Sequence, residues 1–147
     1  MLPLAAACAS LPAPDAACVT VAAVNGATLG AWPVARDAVL VLRYRHSVTL
    51  TPVEERYRVD GATLVQTELR FEEHGPGLAT EADAGGSWSR EGGQFVLRFE
   101  RRFDEIVARV DAAQQPRLDI GGVAIDLAQW GRRAVRLAAH AGRCTAH

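Results

Sequence analysis

The sequence predicts an all-β chain, folded as one antiparallel domain. The expected architecture is a sandwich or a partly closed barrel of about eight to ten short strands, with at most one short helix. Short segments in which apolar and polar residues alternate with a period of two recur along the chain. Turn signals such as Asn25-Gly26 and Asp60-Gly61 separate them. No long segment has the 3.6-residue period of an amphipathic helix.

The predicted strands follow one another at near-regular spacing. They are residues 19–21, 39–47, 53–59, 63–71, 95–103, 106–110, 118–120, 123–127 and 135–139. One short helix is also possible within residues 124–139, where Leu127 and Trp130 interrupt the alternation. The glycine-rich segment from His74 to Gly93 is predicted to be the longest irregular loop, and such loops often carry function.

Alternation also predicts which side chains face the interior, because successive side chains of a strand point to opposite faces. In the second predicted strand, residues 39–47, Arg43 and Arg45 are odd-numbered and charged, so the odd-numbered side chains are expected to face outward. The expected inner faces are Leu40, Leu42, Tyr44 and His46, and Val53, Glu55, Tyr57 and Val59. Two further sets are each expected to share one face, namely Val65, Thr67, Leu69 and Phe71, and Phe95, Leu97, Phe99 and Phe103.

The charge composition excludes several classes of function. All 16 basic residues are arginine, and 17 acids bring the formal net charge to -1. A nucleic-acid-binding protein usually has a clear basic excess, so none is expected as a partner. The absence of lysine excludes Schiff-base chemistry and a P-loop lysine. Most arginines fall on outward faces among glutamates and are interpreted as solvated charges.

The two ends of the chain are predicted to differ from the 17–140 β domain. Residues 1–16 are either the remainder of an export signal or a disordered leader, and any membrane association is expected there alone. Residues 141–147 are expected to be a disordered tail. Cys18 and Cys144 either pair, if the chain is exported, or are two unrelated thiols. No cysteine or histidine spacing indicates a metal site.

The segment around His46 has the strongest chemical pattern. His46 and Ser47 are adjacent on a predicted strand, so they cannot act on each other as base and nucleophile. If the chain bends at Thr51-Pro52, then His46 and Glu55 approach each other on the inner face. Such a pair suits a ligand anchor, a structural lock or a pH-sensitive contact. The alternative is a satisfied structural network.

The run RHSVTLTPVEERYRV resembles the bacterial family called domain of unknown function 1850 (DUF1850). The residues that match its first motif are Tyr44, His46, Ser47, Val48, Thr51, Pro52, Val53, Glu55 and Tyr57. Gly75, Gly77 and Leu78 match a glycine loop downstream. Thr49 stands where the family usually has a glutamate, and His74, Pro76 and Ala79 replace the usual loop residues. The resemblance extends over about Cys18 to Ala139.

This resemblance implies a small exported or membrane-associated protein. Members are often encoded beside permeases of tripartite ATP-independent periplasmic (TRAP) transporters of the TAXI type. The expected function is therefore a non-enzymatic accessory or binding module of solute uptake in the periplasm, without a cofactor. Its expected partner is the permease or its solute-binding protein.

Two alternatives remain open at this point. One is an enzyme in which His46 is the general acid or base and Glu55 orients it, with His74 and Glu81 as additional metal ligands. The other is a purely structural motif. The candidate residues for binding a ligand or partner are Tyr44, His46, Ser47, Thr51, Pro52, Glu55, Tyr57, Gly75 and Gly77.

Overall fold

A computed structural model describes residues 16–83 and 85–145 of the chain. Within these residues it contains eleven strands and two short 3₁₀ helices, at Ala112–Gln114 and Leu127–Trp130. The strands are β1 (Ala16–Ala23), β2 (Thr28–Ala35), β3 (Val39–Arg45), β4 (Pro52–Asp60), β5 (Thr63–Phe71), β6 (Ser87–Glu91), β7 (Gln94–Phe103), β8 (Glu105–Arg109), β9 (Arg117–Ile120), β10 (Val123–Asp126) and β11 (Ala134–Ala141).

The strands form two antiparallel sheets, so the predicted all-β class is confirmed and the open sandwich is the correct alternative. The smaller sheet has the order β2-β1-β11-β8, and the larger has the order β10-β9-β3-β4-β5-β7-β6. Neither sheet closes into a barrel. The short helix expected within residues 124–139 is the 3₁₀ turn that follows β10. No helix of the described part is long and apolar enough to cross a membrane.

The main core lies between the two sheets. Val19 and Val21 of β1 and Leu137 of β11 belong to one buried cluster with Leu40 and Leu42 of β3. The inner face predicted for β3 is therefore correct. Burying these side chains supplies most of the driving force that holds the two sheets together, at about 25 cal/mol per Å² of apolar surface.

The larger sheet contributes a second, smaller core. Val53, Leu69, Phe71, Leu97 and Phe99 form a buried cluster on the larger sheet. The segment 72–83 covers this cluster, with Leu78 and Ala79 packed against it. We call this segment the covering loop.

An ion pair holds the far end of the covering loop to the sheet. Asp83 accepts a 2.6 Å hydrogen bond from Nη2 of Arg101 on β7. The same guanidinium lies over the ring of Phe99, 4.6 Å from its centroid. The predicted loop from His74 to Gly93 is too long, because β6 at Ser87–Glu91 pairs with β7.

A β-bulge in β5 changes the faces that alternation predicted. The register of β5 shifts against both neighbouring strands near Gln66 and Thr67. Leu64 and Gln66 therefore lie opposite Val59 and Tyr57 of β4, on the inner face. The prediction that Val65 and Thr67 share the face of Leu69 and Phe71 is wrong, since one extra residue inverts the alternation.

Ion pairs form a continuous ladder across the outer face of the larger sheet. Glu54 accepts from Nε of Arg43 at 2.9 Å and from Nε of Arg56 at 2.7 Å. Glu68 on the next strand accepts from Arg98 at 3.1 Å and also from Arg70. Only 8 % of Glu68 is exposed. The sequence predicts that such glutamates are solvated, and for Glu68 this is wrong.

A disulfide between Cys18 and Cys144 joins the two ends of the described chain. Their Cα atoms are 5.0 Å apart, and 126 positions of sequence separate them. β11 runs through Ala141, so the predicted boundary at residue 140 falls inside a strand. The predicted leader, 1–16, lies outside the described residues except for Ala16, which begins β1.

Candidate functional site

His46 lies immediately after β3 and is only 6 % exposed. Its Nδ1 accepts hydrogen bonds from the backbone N–H groups of Val48 at 3.2 Å and Thr49 at 3.3 Å. Its Nε2 lies 3.0 Å from the carbonyl oxygen of Pro76 in the covering loop. These partners assign the ring proton to Nε2, which donates to Pro76. Both ring nitrogens are therefore already engaged by the backbone.

The turn that follows β3 is built around the backbone of His46. Its N–H donates to Thr51 at 2.9 Å, and its carbonyl accepts from Leu50 at 2.9 Å. Leu50 has a φ of 57°, a left-handed conformation that a leucine adopts only at a cost. The hydroxyls of Thr49 and Thr51 are 2.8 Å apart and brace the turn.

The bend predicted at Thr51-Pro52 is wrong, because the turn occupies residues 47–50. Pro52 begins β4 and lies opposite Arg45, a position where a missing N–H is tolerated. Ser47 is exposed in the turn rather than lying on a strand. The prediction that His46 and Ser47 lie on one strand with their side chains on opposite faces is therefore wrong.

Gly75 is required by the position of the His46 ring. A Cβ atom on Gly75 would lie 2.6 Å from Cε1 and 2.9 Å from Nε2 of His46, well inside van der Waals contact. Gly77 has a φ of 85°, and a Cβ there would meet nothing within 4 Å. The imidazole thus packs directly on the backbone of the covering loop and bonds to it. We call this arrangement the His46 clamp.

Glu55 is held by a separate group of side chains. It lies opposite Leu42 of β3 and Leu69 of β5. Oε1 accepts from the hydroxyl of Tyr44 at 2.9 Å, and Oε2 accepts from the hydroxyl of Tyr57. The bulge in β5 brings the amide of Gln66 to 3.4 Å from Oε2.

The predicted contact between His46 and Glu55 is not formed. No hydrogen bond or ion pair joins them, and none of the described cations pairs with Glu55. The two residues are nine positions apart across a hairpin whose turn places Tyr44, rather than His46, beside Glu55. A half-buried carboxylate is thus satisfied by neutral donors alone.

Both tyrosines of the chain lie against Glu55, which permits a clean spectroscopic prediction. Burial raises the pKa of Tyr44 and of Tyr57, and the Glu55 charge and its hydrogen bonds raise each pKa further. We expect no phenolate absorbance from the folded protein at pH values just above about 10, where free tyrosine ionises. Because the unfolded chain does ionise there, the free energy of unfolding should fall as the pH rises above about 10.

Glu55→Gln is the matched variant for this titration. It removes the charge but keeps the side-chain size, so both phenols should ionise at lower pH than in the unsubstituted chain. Phenolate absorbance appearing near pH 10 while the circular dichroism is still native would contradict the assigned contacts.

His46 and Glu55 nevertheless line one cavity of about 280 Å³. It opens where β3, the covering loop and β8 meet. Its walls are Leu42, Tyr44, His46, Ser47, Glu55, Pro76, Gly77, Leu78, Ile106, Val107, Ala108, Arg109, Gln114 and Pro116. Of the predicted binding residues, Thr51, Pro52, Tyr57 and Gly75 lie outside this lining. Tyr57 donates to Glu55, and Gly75 packs on the ring of His46.

Sequence reasoning missed several residues of the cavity. Ile106 to Arg109 come from the smaller sheet, Gln114 ends the first 3₁₀ helix, and Pro116 follows that helix. No local pattern connects them to the His46 motif. Gln66 was missed because alternation places it outside unless the bulge is known. Pro76 lies between Gly75 and Gly77, which were both predicted, so it could have been expected from the glycine loop.

His74 and Glu81, the two residues proposed as additional metal ligands, do not line the cavity that contains His46. His74 stacks on Trp88 with 5.6 Å between ring centroids and contacts Phe95 at 4.4 Å. Glu81 is exposed on the covering loop. The described residues contain no group of three or more histidine, cysteine or acidic side chains that could hold a metal ion.

Comparison with known families decides the classification. The model of the family called domain of unknown function (DUF1850) matches residues 40–127, which is 88 of the 147 residues. The chain belongs to the DUF1850 family. Neither the curated proteins nor the solved structures yielded a match to it.

The DUF1850 match is shorter than the resemblance predicted from the sequence. It begins in β3 and ends after β10, so it includes His46, Glu55, Gly75 and the larger sheet almost entirely. β1, β2 and β11 lie outside it, together with both ends of the disulfide. The His46 clamp and the whole lining of its cavity therefore lie within the DUF1850 segment.

Proposed function

We propose that this DUF1850 protein is a non-enzymatic binding module that takes the cationic group of a small solute in the cavity beside Glu55. The observation that carries the proposal is the half-buried Glu55 carboxylate, which is held by two phenols and one amide and by no described cation. A carboxylate in such surroundings attracts a positive group, because the low local dielectric strengthens the attraction.

The rest of the cavity suits a small ligand with a short apolar body. Its volume of about 280 Å³ is at the lower end of the range for small-molecule sites. Leu42, Leu78 and Ile106 supply apolar walls. The hydroxyl of Tyr44 fixes one carboxylate oxygen, so the lone pairs of Glu55 that remain have a defined direction.

The enzyme alternative is not favoured by any contact of His46. A general base needs a free lone pair, and Nδ1 already accepts from two backbone N–H groups. The Nε2 proton is committed to Pro76. In this proposal His46 shapes the cavity by holding the covering loop and has no part in proton transfer.

Calorimetric titration of the purified chain with amines tests the binding proposal. The probes are n-butylamine and putrescine, with n-butanol as the neutral isostere. We expect saturable binding of the amines alone, weakened at least about tenfold by Glu55→Gln. The control is Glu81→Gln, since Glu81 is exposed and no described contact involves its carboxylate. Equal amine binding by both variants, or no saturable binding, would refute the proposal.

We further propose that the module works in the periplasm with a TAXI-type TRAP permease or its solute-binding protein. The Cys18–Cys144 disulfide supports an oxidising compartment, where such bonds persist. The family resemblance supports the link to uptake. Cross-linking in intact cells should recover the permease or the binding protein, and deletion should lower solute uptake. Recovery of neither partner, with uptake unchanged, would refute this link.

A further inference from the structure

The outer face of the smaller sheet contains a second hollow, of about 310 Å³. It lies on the side of β1 and β11 that points away from the main core. Small side chains at outward positions leave the space open, namely Ala22 on β1, Ala31 on β2 and Ala138 on β11. Most of its lining lies outside the segment that the family model matches.

The C-terminal segment forms one end of this hollow. Cys144 and Thr145 are part of its lining, and the disulfide to Cys18 holds them there. The N–H of Gly142 donates to the carbonyl of Ala16 at 2.8 Å, which fixes the segment where it leaves β11. The hollow is therefore a built feature of the oxidised fold.

The guanidinium of Arg136 lies in the hollow with part of its hydrogen-bonding capacity unused. Nη1 donates to Glu105 at 3.2 Å. Nε is buried and has no hydrogen-bond partner among the described residues. Because Nε is buried, a group in the hollow can reach the guanidinium only at its terminal amino groups.

One terminal amino group of Arg136 is free to recognise a carboxylate. Nη2 is not buried, and no described residue accepts from it. A charge-assisted N–H···O bond from a guanidinium to a carboxylate is shorter and stronger than a neutral one. The exposed Arg143 adds a second positive charge to the lining, against the single carboxylate of Glu105.

The remaining lining favours an organic acid over a bare inorganic anion. Three alanine methyl groups, of Ala22, Ala31 and Ala138, form an apolar floor that phosphate would leave uncovered. Thr20, whose hydroxyl lies 3.0 Å from Nε2 of His140, adds polar groups at one side. A short carbon chain that carries one carboxylate fits both surfaces.

We propose that this hollow binds a small aliphatic carboxylic acid, whose carboxylate accepts from Nη2 of Arg136. The site is separate from the cavity beside Glu55 and takes a ligand group of the opposite charge. Its existence does not depend on the function proposed for that cavity.

Calorimetric titration of the oxidised full chain with sodium butyrate and sodium phosphate tests this site. We expect saturable butyrate binding and much weaker phosphate binding. Arg136→Gln should weaken butyrate binding at least about tenfold. Arg132→Gln is the matched control, because Arg132 is an exposed arginine of the same region that lies outside the hollow. It should leave the affinity unchanged.

A second variant fills the hollow while keeping the charge. Ala138→Leu should abolish butyrate binding although Arg136 is intact, and circular dichroism checks that each variant is folded. The proposal is overturned if butyrate shows no saturable binding up to about 10 mM, or if phosphate binds as tightly as butyrate. It is also overturned if folded Arg136→Gln and folded Ala138→Leu both bind butyrate normally.

Discussion

Replacing His46 by alanine is expected to lower the free energy of unfolding by about 2–4 kcal/mol. The substitution removes a buried ring and leaves three backbone groups without their partner: the N–H groups of Val48 and Thr49 and the carbonyl of Pro76. The covering loop also loses its attachment to the β3–β4 turn. Urea denaturation followed by circular dichroism measures the change.

The matched control for this prediction is His140→Ala. His140 is exposed, and its one described hydrogen bond is to the hydroxyl of Thr20. Its loss should cost less than about 1 kcal/mol. If the two alanine variants are equally stable, then His46 does not act as a clamp.

Replacing both disulfide cysteines, Cys18 and Cys144, by serine is expected to cost about 2–4 kcal/mol. The bond spans 126 positions, so it strongly restricts the unfolded chain. It also ties β1 to the segment that follows β11, at the edge of the hollow around Arg136. Thermal and urea denaturation under non-reducing conditions measure the loss against the unsubstituted chain.

Counting thiols provides the accompanying chemical test. The chain has three cysteines, so the denatured, non-reduced protein should contain one free thiol and the reduced protein three. In the Cys8→Ser variant the non-reduced count should fall to zero. Three free thiols in oxidised protein would contradict the Cys18–Cys144 bond.

The faces of the central hairpin could be predicted from the sequence because their alternation is regular. Leu40 and Leu42 face the core as expected, and Glu55 rather than Glu54 is the inner acid. The partner of Glu55 could not be predicted. Pairing across a hairpin depends on the number of residues in the turn, and a leucine in a left-handed conformation, Leu50, gives no sequence signal.

The two missed strands, β2 and β6, are both edge strands. Edge strands are half exposed, so they lack the strict alternation that identifies a buried strand. β2 includes Pro33, and the prediction for β6 was obscured by the surrounding glycines. The bulge in β5 was likewise invisible, since Thr67 has nothing in its neighbourhood that marks an extra residue.

The contact between His46 and the covering loop joins residues 30 positions apart, so no local pattern reports it. The only sequence signal was indirect: a histidine motif and a glycine loop occur in one family pattern. The structure explains why the two motifs occur together. The imidazole of His46 occupies the space that a side chain at Gly75 would need.

The clamp is tested most directly by a double-mutant cycle between His46→Ala and Gly75→Ala. In the native background Gly75→Ala should cost about 1–3 kcal/mol, since its Cβ would lie 2.6 Å from the His46 ring. In the His46→Ala background the same substitution should cost at least about 1 kcal/mol less. Gly77→Ala, whose Cβ meets nothing, should cost the same in both backgrounds. Additive effects of His46→Ala and Gly75→Ala would contradict the clamp.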